Sequence, residues 1–350
     1  MGDCSRRPPI LAGVRTVEYR ANDDVRIVEL PRPSAGPGEI VVALRACGIC
    51  GSDVLEWYMR PRAPLHPGHE VVGAVAEVGE GVATFAPGDR VFVHHHVPCM
   101  VCRACRRGAT TSCRRFRETR LYPGGLAEYV RVPAENVALD VLQLPDELDD
   151  IAATLIEPLA CCVRSVRRGG VRPGDAVAVV GAGLTGLLHV QLAVAFGATR
   201  VVAVDPIEER RLLACGLGAT EAHRPDAPEL RLIGADVVVV TPASAAALAS
   251  SLDLAGPGGT VVLFGPTAPG ERFPFEPHRY FFREITVTST YSADPCDTRL
   301  ALDLLSSRRV RSDRLVTRVL PLEQAAEAFR ATATHREELK VVLTADAPIG

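Results

Sequence analysis

The amino-acid sequence predicts an α/β protein in which a β-rich domain precedes a doubly wound parallel sheet. Its length of 350 residues suits about two domains. Residues 10–150 contain short runs of β-branched residues separated by Gly and Pro, a pattern that favours a barrel-like β domain with long loops. From about residue 150, apolar strands alternate with helical segments, which is typical of βαβ units on a parallel sheet.

Four segments in the first half are predicted strands. Each concentrates β-branched and aromatic residues, and the segments GPG, APGD and PGG supply turns between them. The predicted strands are EIVVALRACG (39–48), EVVGAVAEVG (70–79), DRVFVHHHV (89–97) and AEYVRVP (127–133).

The second half begins with one predicted helix over residues 149–168, which Pro158 should bend or break. Strands and helices then alternate, so we predict domains over residues 1–158, 159–295 and 296–350. The predicted strands are 175–181, 200–205, 235–242, 258–265, 284–292 and 339–345, and the predicted helices are 184–197, 208–218, 298–310 and 321–333.

The composition argues against several classes of protein. A net charge of -3 gives no electrostatic basis for binding nucleic acid or an anionic membrane. No apolar run is long enough for a transmembrane helix. The N-terminal residues lack the apolar core of a signal peptide, so we expect reduced cysteines and a cytoplasmic protein. Lys340 is the only lysine among 39 basic residues, a bias from which no function is predicted.

Four cysteines form the strongest metal signal in the chain, with the spacing C-x2-C-x2-C-x7-C. Four thiolates around one tetrahedral ion make a closed structural zinc site, which leaves no position for a substrate. We therefore predict a structural zinc in a lobe over residues 94–115, and we expect the chemistry to lie elsewhere. The predicted ligands are Cys99, Cys102, Cys105 and Cys113.

A G-x-G-x-x-G segment between a predicted strand and a predicted helix indicates a dinucleotide site. Its first glycine permits a tight turn, its second lets the backbone approach a pyrophosphate, and its third lets helix and strand pack closely. Asp205 ends the next strand, where an acid suits ribose hydroxyls and repels a 2′-phosphate, which favours NAD. Arg210 and Arg211 keep NADP open, and a glycine turn without a nucleotide is the alternative. The predicted cofactor residues are Gly181, Gly183, Leu184, Thr185, Gly186, Asp205 and Arg210.

A second set of metal-binding residue types is scattered over the first half. Cys50, His69 and Glu70 are suitable zinc ligands, and three protein ligands leave a fourth position open. We choose Cys50 over Cys47 because the hydroxyl of Ser52, two residues on, could reach a substrate at the metal. A redox Cys-x-x-Cys pair and a hydrogen-bonded loop histidine are the alternatives.

A further acid, Glu157, lies in an Ile-Glu-Pro-Leu segment where the two predicted domains join. A carboxylate at that seam would face the cleft, and an exposed glutamate at a helix end is the alternative.

Taken in order, CGICGSD, GHE, the four-cysteine lobe, EPL, GAGLTG and the acid after the second strand resemble the zinc-dependent medium-chain alcohol dehydrogenases. The closer resemblance is to the sorbitol (polyol) and threonine dehydrogenase branch. It implies a GroES-like catalytic domain, a Rossmann domain and a tail that returns to the catalytic domain. It also implies a catalytic zinc on Cys50 and His69, with Glu70 as a further ligand. Glu157 would position a water at the zinc or ligate it in some states.

The resemblance further implies an NAD(P)-dependent oxidoreductase that interconverts a secondary alcohol and a ketone on a polyol, sugar, cyclitol or amino-polyol. Ser52 would pass the substrate proton outward, but Leu55 replaces the histidine that often continues this relay. The cofactor ribose or Glu56 would then supply the exit. His95 falls where relatives place a residue of the substrate pocket, and Trp57 also borders it in this interpretation.

Alternative functions are a threonine-type dehydrogenase of hydroxy-amino acids and an inactive relative that keeps only the fold. The expected partner is a small-molecule substrate, with neither nucleic acid nor membrane. The resemblance also implies a homodimer or homotetramer joined through Rossmann sheets, for which residues 285–290 could supply an edge.

Overall fold

The computed structural model describes residues 13–334 and 337–345. These residues form a two-stranded, a six-stranded and a seven-stranded sheet with helices packed on them. Within the described ranges, no helix is both long and apolar enough to cross a membrane.

The first part of the chain is mostly β-structure. Its strands are β1 (Gly13–Ala21), β2 (Asp24–Pro31), β3 (Ile40–Ile49), β4 (Glu70–Val78), β5 (Arg90–His94), β6 (Tyr129–Val132) and β7 (Val141–Gln143). Its short helices are α1 (Glu56–Met59), α2 (Arg103–Arg106), α3 (Arg114–Glu118), α4 (Ala134–Asp140) and α5 (Asp150–Ala153). Single 3-10 turns cover Gly51–Val54, Arg60–Arg62 and Thr110–Ser112.

All four strands predicted in this part are confirmed as β3, β4, β5 and β6. Strand β5 ends at His94, which is earlier than predicted, so His95 and His96 lie in the loop that leads to the cysteines. The antiparallel hairpin of β1 and β2 was not predicted. Charged residues interrupt the apolar residues of both strands, and β2 is mostly half-buried or exposed, so the hydrophobic pattern of the hairpin is weak.

The second part contains a parallel sheet. Its strands are β8 (Ala176–Val180), β9 (Arg200–Val204), β10 (Glu221–His223), β11 (Ala235–Val240), β12 (Ala255–Leu263) and β13 (Thr286–Ser289). Its helices are α6 (Ile156–Gly169), α7 (Leu184–Ala195), α8 (Glu208–Gly216), α9 (Ala245–Ser251) and α10 (Pro277–Phe281), with a 3-10 turn at Pro228–Leu232. The strand order β10-β9-β8-β11-β12-β13 reverses direction between β8 and β11. Open α/β sheets bind ligands at this switch point.

The helix predicted over residues 149–168 is broken into α5 and α6, as its proline suggested, but the break does not lie at the proline. The interruption falls at Thr154 and Leu155, before the proline. Pro158 lies in the first turn of α6, where its missing N–H costs no intrahelical hydrogen bond. The position of Glu157 follows from this division, since it too lies in the first turn of α6.

The tail adds two strands to the seven-stranded sheet. It contains α11 (Pro295–Ser306), β14 (Arg318–Pro321), a 3-10 turn at Leu322–Gln324, α12 (Ala325–Thr334) and β15 (Val341–Thr344). Strand β15 pairs antiparallel with β3, so that Val341 lies opposite Ile49. This pairing brings Lys340, just before β15, next to the end of the strand that leads to Cys50.

Candidate active site and metal centres

A cavity of about 1070 Å³ lies between the seven-stranded and the six-stranded sheets. Cys50, Ser52 and His69 line one wall, from the loop after β3 and the residue before β4. Thr185 and Phe264 line the opposite wall, at the carboxyl ends of the parallel strands. A molecule in this cavity therefore meets both halves of the chain.

Cys50, His69 and Glu70 form the first mixed cluster of metal-binding groups. One ligand atom from each lies within 4.8 Å of the other two. The Cys50 sulfur caps the 3-10 turn that follows it and accepts a hydrogen bond from the Ser52 N–H at 3.5 Å. The structure thus places Cys50, and not the fully buried Cys47, in this cluster.

Asp53 supports the histidine of the cluster from behind. Its carboxylate lies 3.6 Å from Nδ1 of His69 and also accepts the Cys50 N–H at 3.1 Å. Burial opposes the charged form of His69, but the neighbouring Asp53 and Cys50 outweigh burial and raise the pKa of His69 well above its usual value. A carboxylate behind a metal-binding histidine commonly fixes the orientation of the ring.

Glu70 is held by the only lysine of the chain. Lys340 Nζ donates to both carboxylate oxygens of Glu70, at 2.6 and 2.7 Å, and to the backbone oxygen of Ile49 at 3.0 Å. Both side chains are buried. Burial lowers the pKa of Lys340, but the adjacent Glu70 outweighs it, so the pKa is raised and the ammonium stays charged. Because all three ammonium hydrogens are used, both oxygens of Glu70 already have a strong partner.

Glu157 belongs to a second mixed cluster beside the first. Its carboxylate and one ring nitrogen each of His94 and His95 lie within 4.8 Å of one another. Glu157 and His95 both line the cavity, and the rings of His95 and His69 are 4.9 Å apart. The sulfur of Cys161, one helical turn later, lies 3.5 Å from the Glu157 carboxylate.

The other predicted pocket residue, Trp57, also lines this cavity. Leu55, which directly follows the 3-10 turn that contains Ser52, lines it too. The three consecutive histidines take different positions, because His94 is fully buried while His95 and His96 are partly buried in the cavity wall. Burial lowers the pKa of His96 to about 3, helped by the nearby Arg120.

The four cysteines of the lobe converge on one point. Their sulfurs all lie within 4.8 Å of one another, and Phe116 packs beside them. Burial acts to raise the pKa of Cys113, but the N–H groups of Cys99, Phe116 and Arg115 outweigh it and lower the pKa to about 6. Backbone donors aimed at a sulfur stabilise the thiolate form that binds metal.

The glycine-rich segment has the backbone that its motif requires. Gly181 has a φ of +86°, and a Cβ at Gly186 would lie 1.8 Å from the Gly181 oxygen. Helix α7 begins directly after Gly183, so its unpaired N–H groups face the loop. Leu184 and Thr185, which are predicted to contact the cofactor, lie in the first turn of this helix.

Asp205 lies beside this loop, below a second cavity of about 840 Å³ that Gly181, Gly183 and Arg210 also line. Its carboxylate accepts the N–H of Ala182 at 2.7 Å and that of Ile207 at 2.8 Å. These bonds fix the carboxylate at the end of β9, where it faces the second cavity.

Comparison with known proteins agrees with this architecture. The family model for the alcohol dehydrogenase GroES-like domain matches residues 36–146, and that for zinc-binding dehydrogenase matches residues 185–307. A probable D-xylulose reductase A from Aspergillus clavatus is 31% identical over 341 residues, covering 92% of each chain. D-arabinitol dehydrogenase 1 from Uromyces fabae is 30% identical and covers 95% of this chain and 97% of its own.

The chain belongs to the zinc-dependent medium-chain alcohol dehydrogenase family. A solved structure supports the same assignment, a candidate zinc-binding dehydrogenase from Sinorhizobium meliloti 1021 bound to NADP. It is 31% identical, has a TM-score of 0.86 and covers 95% of this chain and 100% of its own. The predicted fold class, a GroES-like domain combined with a Rossmann sheet, is therefore confirmed. The protein is an oxidoreductase whose cofactors are zinc and NAD(P).

The residues of this dehydrogenase fit both cofactors. Four converging thiols without a carboxylate suit a closed zinc site, whereas a cysteine, a histidine and a carboxylate at a cavity wall suit a site with an open position. The strand, glycine turn and helix N-terminus suit the pyrophosphate of a dinucleotide.

Sequence reasoning missed several residues of this site. Lys340 carried one signal, since it is the only lysine of the chain, but its contact with Glu70 spans 270 positions. Asp53 lies in the CGICGSD motif and was not assigned a role. His94 and Asp140 meet in the interior, as described below, and no spacing rule connects them.

Proposed function

We propose that this dehydrogenase interconverts a secondary hydroxyl and a ketone on a polyol, sugar, cyclitol or amino-polyol. Relatives named D-xylulose reductase and D-arabinitol dehydrogenase support this substrate class. The observation that carries the proposal is one cavity with metal-binding groups on one wall and the cofactor side of the parallel sheet on the other. The cavity lining is mostly apolar, and His66, His95 and Arg120 add polar groups that suit the hydroxyls of a substrate.

Cys50 and His69 are proposed to hold the catalytic zinc, with Glu157 as the carboxylate that is free to act at the metal. Glu70 is proposed to remain with Lys340 and to support the site from behind, although its position still permits ligation. When bound, zinc supplies a Lewis acid and NAD(P) supplies the hydride acceptor. The walls of the cavity hold the substrate carbon between these two positions, which is the main task of the chain in this reaction.

Ser52 is proposed to accept the proton of the substrate hydroxyl. It lies in the cavity wall two residues after Cys50, and its N–H contacts the cysteine sulfur. Leu55 also lines this cavity, and its side chain cannot accept a proton. The path by which the proton leaves Ser52 therefore differs from a relay that continues through a histidine. The two routes left are the cofactor ribose and the exposed Glu56.

NAD is proposed as the preferred cofactor. Asp205 offers negative charge to the ribose hydroxyls at the place where NADP carries a 2′-phosphate. Replacing Asp205 with Asn should weaken NAD binding and raise the relative affinity for NADP, as measured by titrating both nucleotides. An unchanged ratio of the two dissociation constants would contradict this role for Asp205.

The decisive test is a substrate panel of polyols, cyclitols and hydroxy-amino acids with zinc-loaded enzyme and NAD. NADH absorbance should rise with polyols or cyclitols, and a chelator that removes the catalytic zinc should abolish the rise. Turnover confined to hydroxy-amino acids would instead support the threonine-type alternative. An inactive relative would give no turnover and would bind zinc only in the cysteine lobe.

Three coarser features complete the proposal. We propose domain boundaries at residues 158 and 295, between which the parallel sheet lies.

We propose a homodimer or homotetramer, because edge strand β13 exposes Val287, and Phe281 and Phe282 nearby are about three-quarters exposed. Light scattering of the purified protein tests this assembly, and a monomer would reject it. A cytoplasmic location, where thiols stay reduced, is proposed for the same enzyme.

A further inference from the structure

A buried polar chain runs behind the second mixed cluster. Nδ1 of His94 lies 2.7 Å from Oδ2 of Asp140, and Oδ1 of Asp140 accepts the hydroxyl of Thr298 at 2.6 Å. The side-chain amide of Asn136 donates to the backbone oxygen of His94 at 2.8 Å. All four residues are buried, and they come from β5, α4 and α11. Three separate elements thus fix the position of one imidazole ring.

The two nitrogens of this ring have different environments. Nδ1 is occupied by Asp140, whereas Nε2 is buried and has no hydrogen-bond partner within the described residues. A buried polar atom without a partner is costly, so such an atom in a native structure needs an explanation. A ring nitrogen of His94 also lies within 4.8 Å of the Glu157 carboxylate and of His95. The nitrogen that remains available for those neighbours is Nε2.

Glu157 is the less restrained of the two carboxylates in the two mixed clusters. Glu70 has both oxygens on Lys340. Within the described residues, the hydrogen bond that the Glu157 side chain accepts comes from the Cys161 sulfur, at 3.5 Å. A thiol is a weak donor, so this contact alone holds the carboxylate loosely.

We propose that His94 is a positioning residue for Glu157. Asp140 and Thr298 fix the ring, and a small movement of the loosely held Glu157 carboxylate, which lies within 4.8 Å, lets Nε2 donate a hydrogen bond to it. A hydrogen on each ring nitrogen makes this ring an imidazolium, which then bridges two carboxylates, one structural and one at the cavity wall. Carboxylate and histidine partners behind metal ligands commonly alter metal affinity or activity by about 10–100-fold. This inference rests on the proposed catalytic metal site.

Two substitutions at His94 separate this role from a purely structural one. The amide of asparagine can occupy the place of Nδ1 and keep the bond to Asp140, whereas the longer glutamine can place its amide where Nε2 meets Glu157. We expect His94→Asn to weaken zinc or cobalt binding at the catalytic site by about tenfold. We expect His94→Gln to stay within about threefold of the unchanged enzyme, as rescue by the Nε2 mimic requires.

The measurements are metal affinity by competition with a chelator and the visible spectrum of the cobalt-substituted protein, with thermal unfolding recorded for each variant. The two variants remove the same ring from between Phe92 and Phe116, so we expect similar losses of stability. His189 is the matched control, because it is buried, bonds Thr185 through Nδ1 and leaves Nε2 without a partner within the described residues. Its Asn and Gln variants should leave catalytic-site metal affinity unchanged.

Equal metal affinity in His94→Asn and His94→Gln, or better binding by the Asn variant, would overturn the proposal. If both variants fail to fold, Thr298→Val is the milder test, since it loosens Asp140 without removing the ring. An unchanged cobalt spectrum in Thr298→Val would also overturn the proposal. Failure of the unchanged enzyme to bind any metal outside the cysteine lobe would instead reject the metal site itself, so the two failures can be distinguished.

Discussion

The two metal-binding regions of this dehydrogenase are built in opposite ways. The cysteine lobe takes four identical ligand types from residues 99–113, and their sulfurs converge in one local loop. The proposed catalytic cluster, Cys50, His69 and Glu157, takes different ligand types from distant segments, and Lys340 of the tail binds Glu70 beside it. The lobe cysteines are absent from the walls of the large cavity, whereas Cys50, His69 and Glu157 belong to them.

We therefore expect the cysteine lobe to stabilise the fold and the other region to carry the reaction. The four cysteines of the lobe lie close together in the sequence, and four thiolates around one zinc ion leave no open position for a substrate. A site assembled from distant segments forms only when both sheets and the tail are in place. Such a site needs further groups behind its ligands, and here Asp53, Lys340 and His94 are placed to act in that way.

Removing a ligand of the catalytic cluster should have the largest effect on activity. Because metal Lewis acidity contributes several kcal/mol, Cys50→Ala or His69→Ala should lower kcat/KM by at least about 10³-fold. Steady-state kinetics and circular dichroism check that activity falls while the fold remains. Cys47→Ala is the matched control, since this cysteine is buried in β3 outside the cluster. Full activity in either ligand variant would reject the assigned site.

Removing the lysine behind the cluster should have the largest effect on stability among the supporting residues. Lys340→Met leaves Glu70 buried without its charged partner, which should cost about 3–5 kcal/mol of unfolding free energy. Urea unfolding measures this loss.

The double variant Lys340→Met with Glu70→Gln should recover part of that stability, because the unpaired charge is then absent. An unchanged midpoint for Lys340→Met alone would show that the buried ion pair contributes little.

Loss of a lobe cysteine should reduce stability or assembly before it reduces the chemical step. Cys102→Ser removes one of the four ligands of the lobe, and a disulfide that closes a loop of about 15 residues is worth roughly 3 kcal/mol, which sets the scale of the expected loss. Thermal unfolding, zinc content and activity per folded molecule measure the separate effects. Exposed Cys215, changed to Ser, is the control. Lost hydride transfer with normal stability and quaternary structure would contradict the division between the two regions.

The smallest expected effect concerns the contact between the two regions. Thr110 of the lobe donates to Asp294 at 2.8 Å, and Asp294 also accepts Arg164 of α6, the helix that begins beside Glu157. Thr110→Val should cost about 1 kcal/mol of unfolding free energy and slightly weaken catalytic-site metal binding.

The control for this variant is Thr111→Val, at the next buried position of the lobe. An equal response of metal affinity in both variants would mean that the contact with Asp294 does not connect the regions.

Most of the fold was predictable because its signals are local. Strand β8, the turn at Gly181 and helix α7 follow from apolar runs and glycine spacing. The cysteine lobe follows from spacing in the same way. The division between α5 and α6 was predicted imprecisely, because a proline in the first turn of a helix resembles a proline that breaks one.

The sequence by itself determined most strands of the two larger sheets, the glycine loop and the identity of the metal-binding residue types, since each depends on neighbours a few positions away. Only the tertiary structure decided which carboxylate is paired with the lysine. Pairing of β15 with β3 places Lys340 on Glu70, and packing of α4 and α11 against β5 places Asp140 and Thr298 behind His94. Charge pairing and burial act between atoms that only folding brings together, so spacing along the chain could not reveal these contacts.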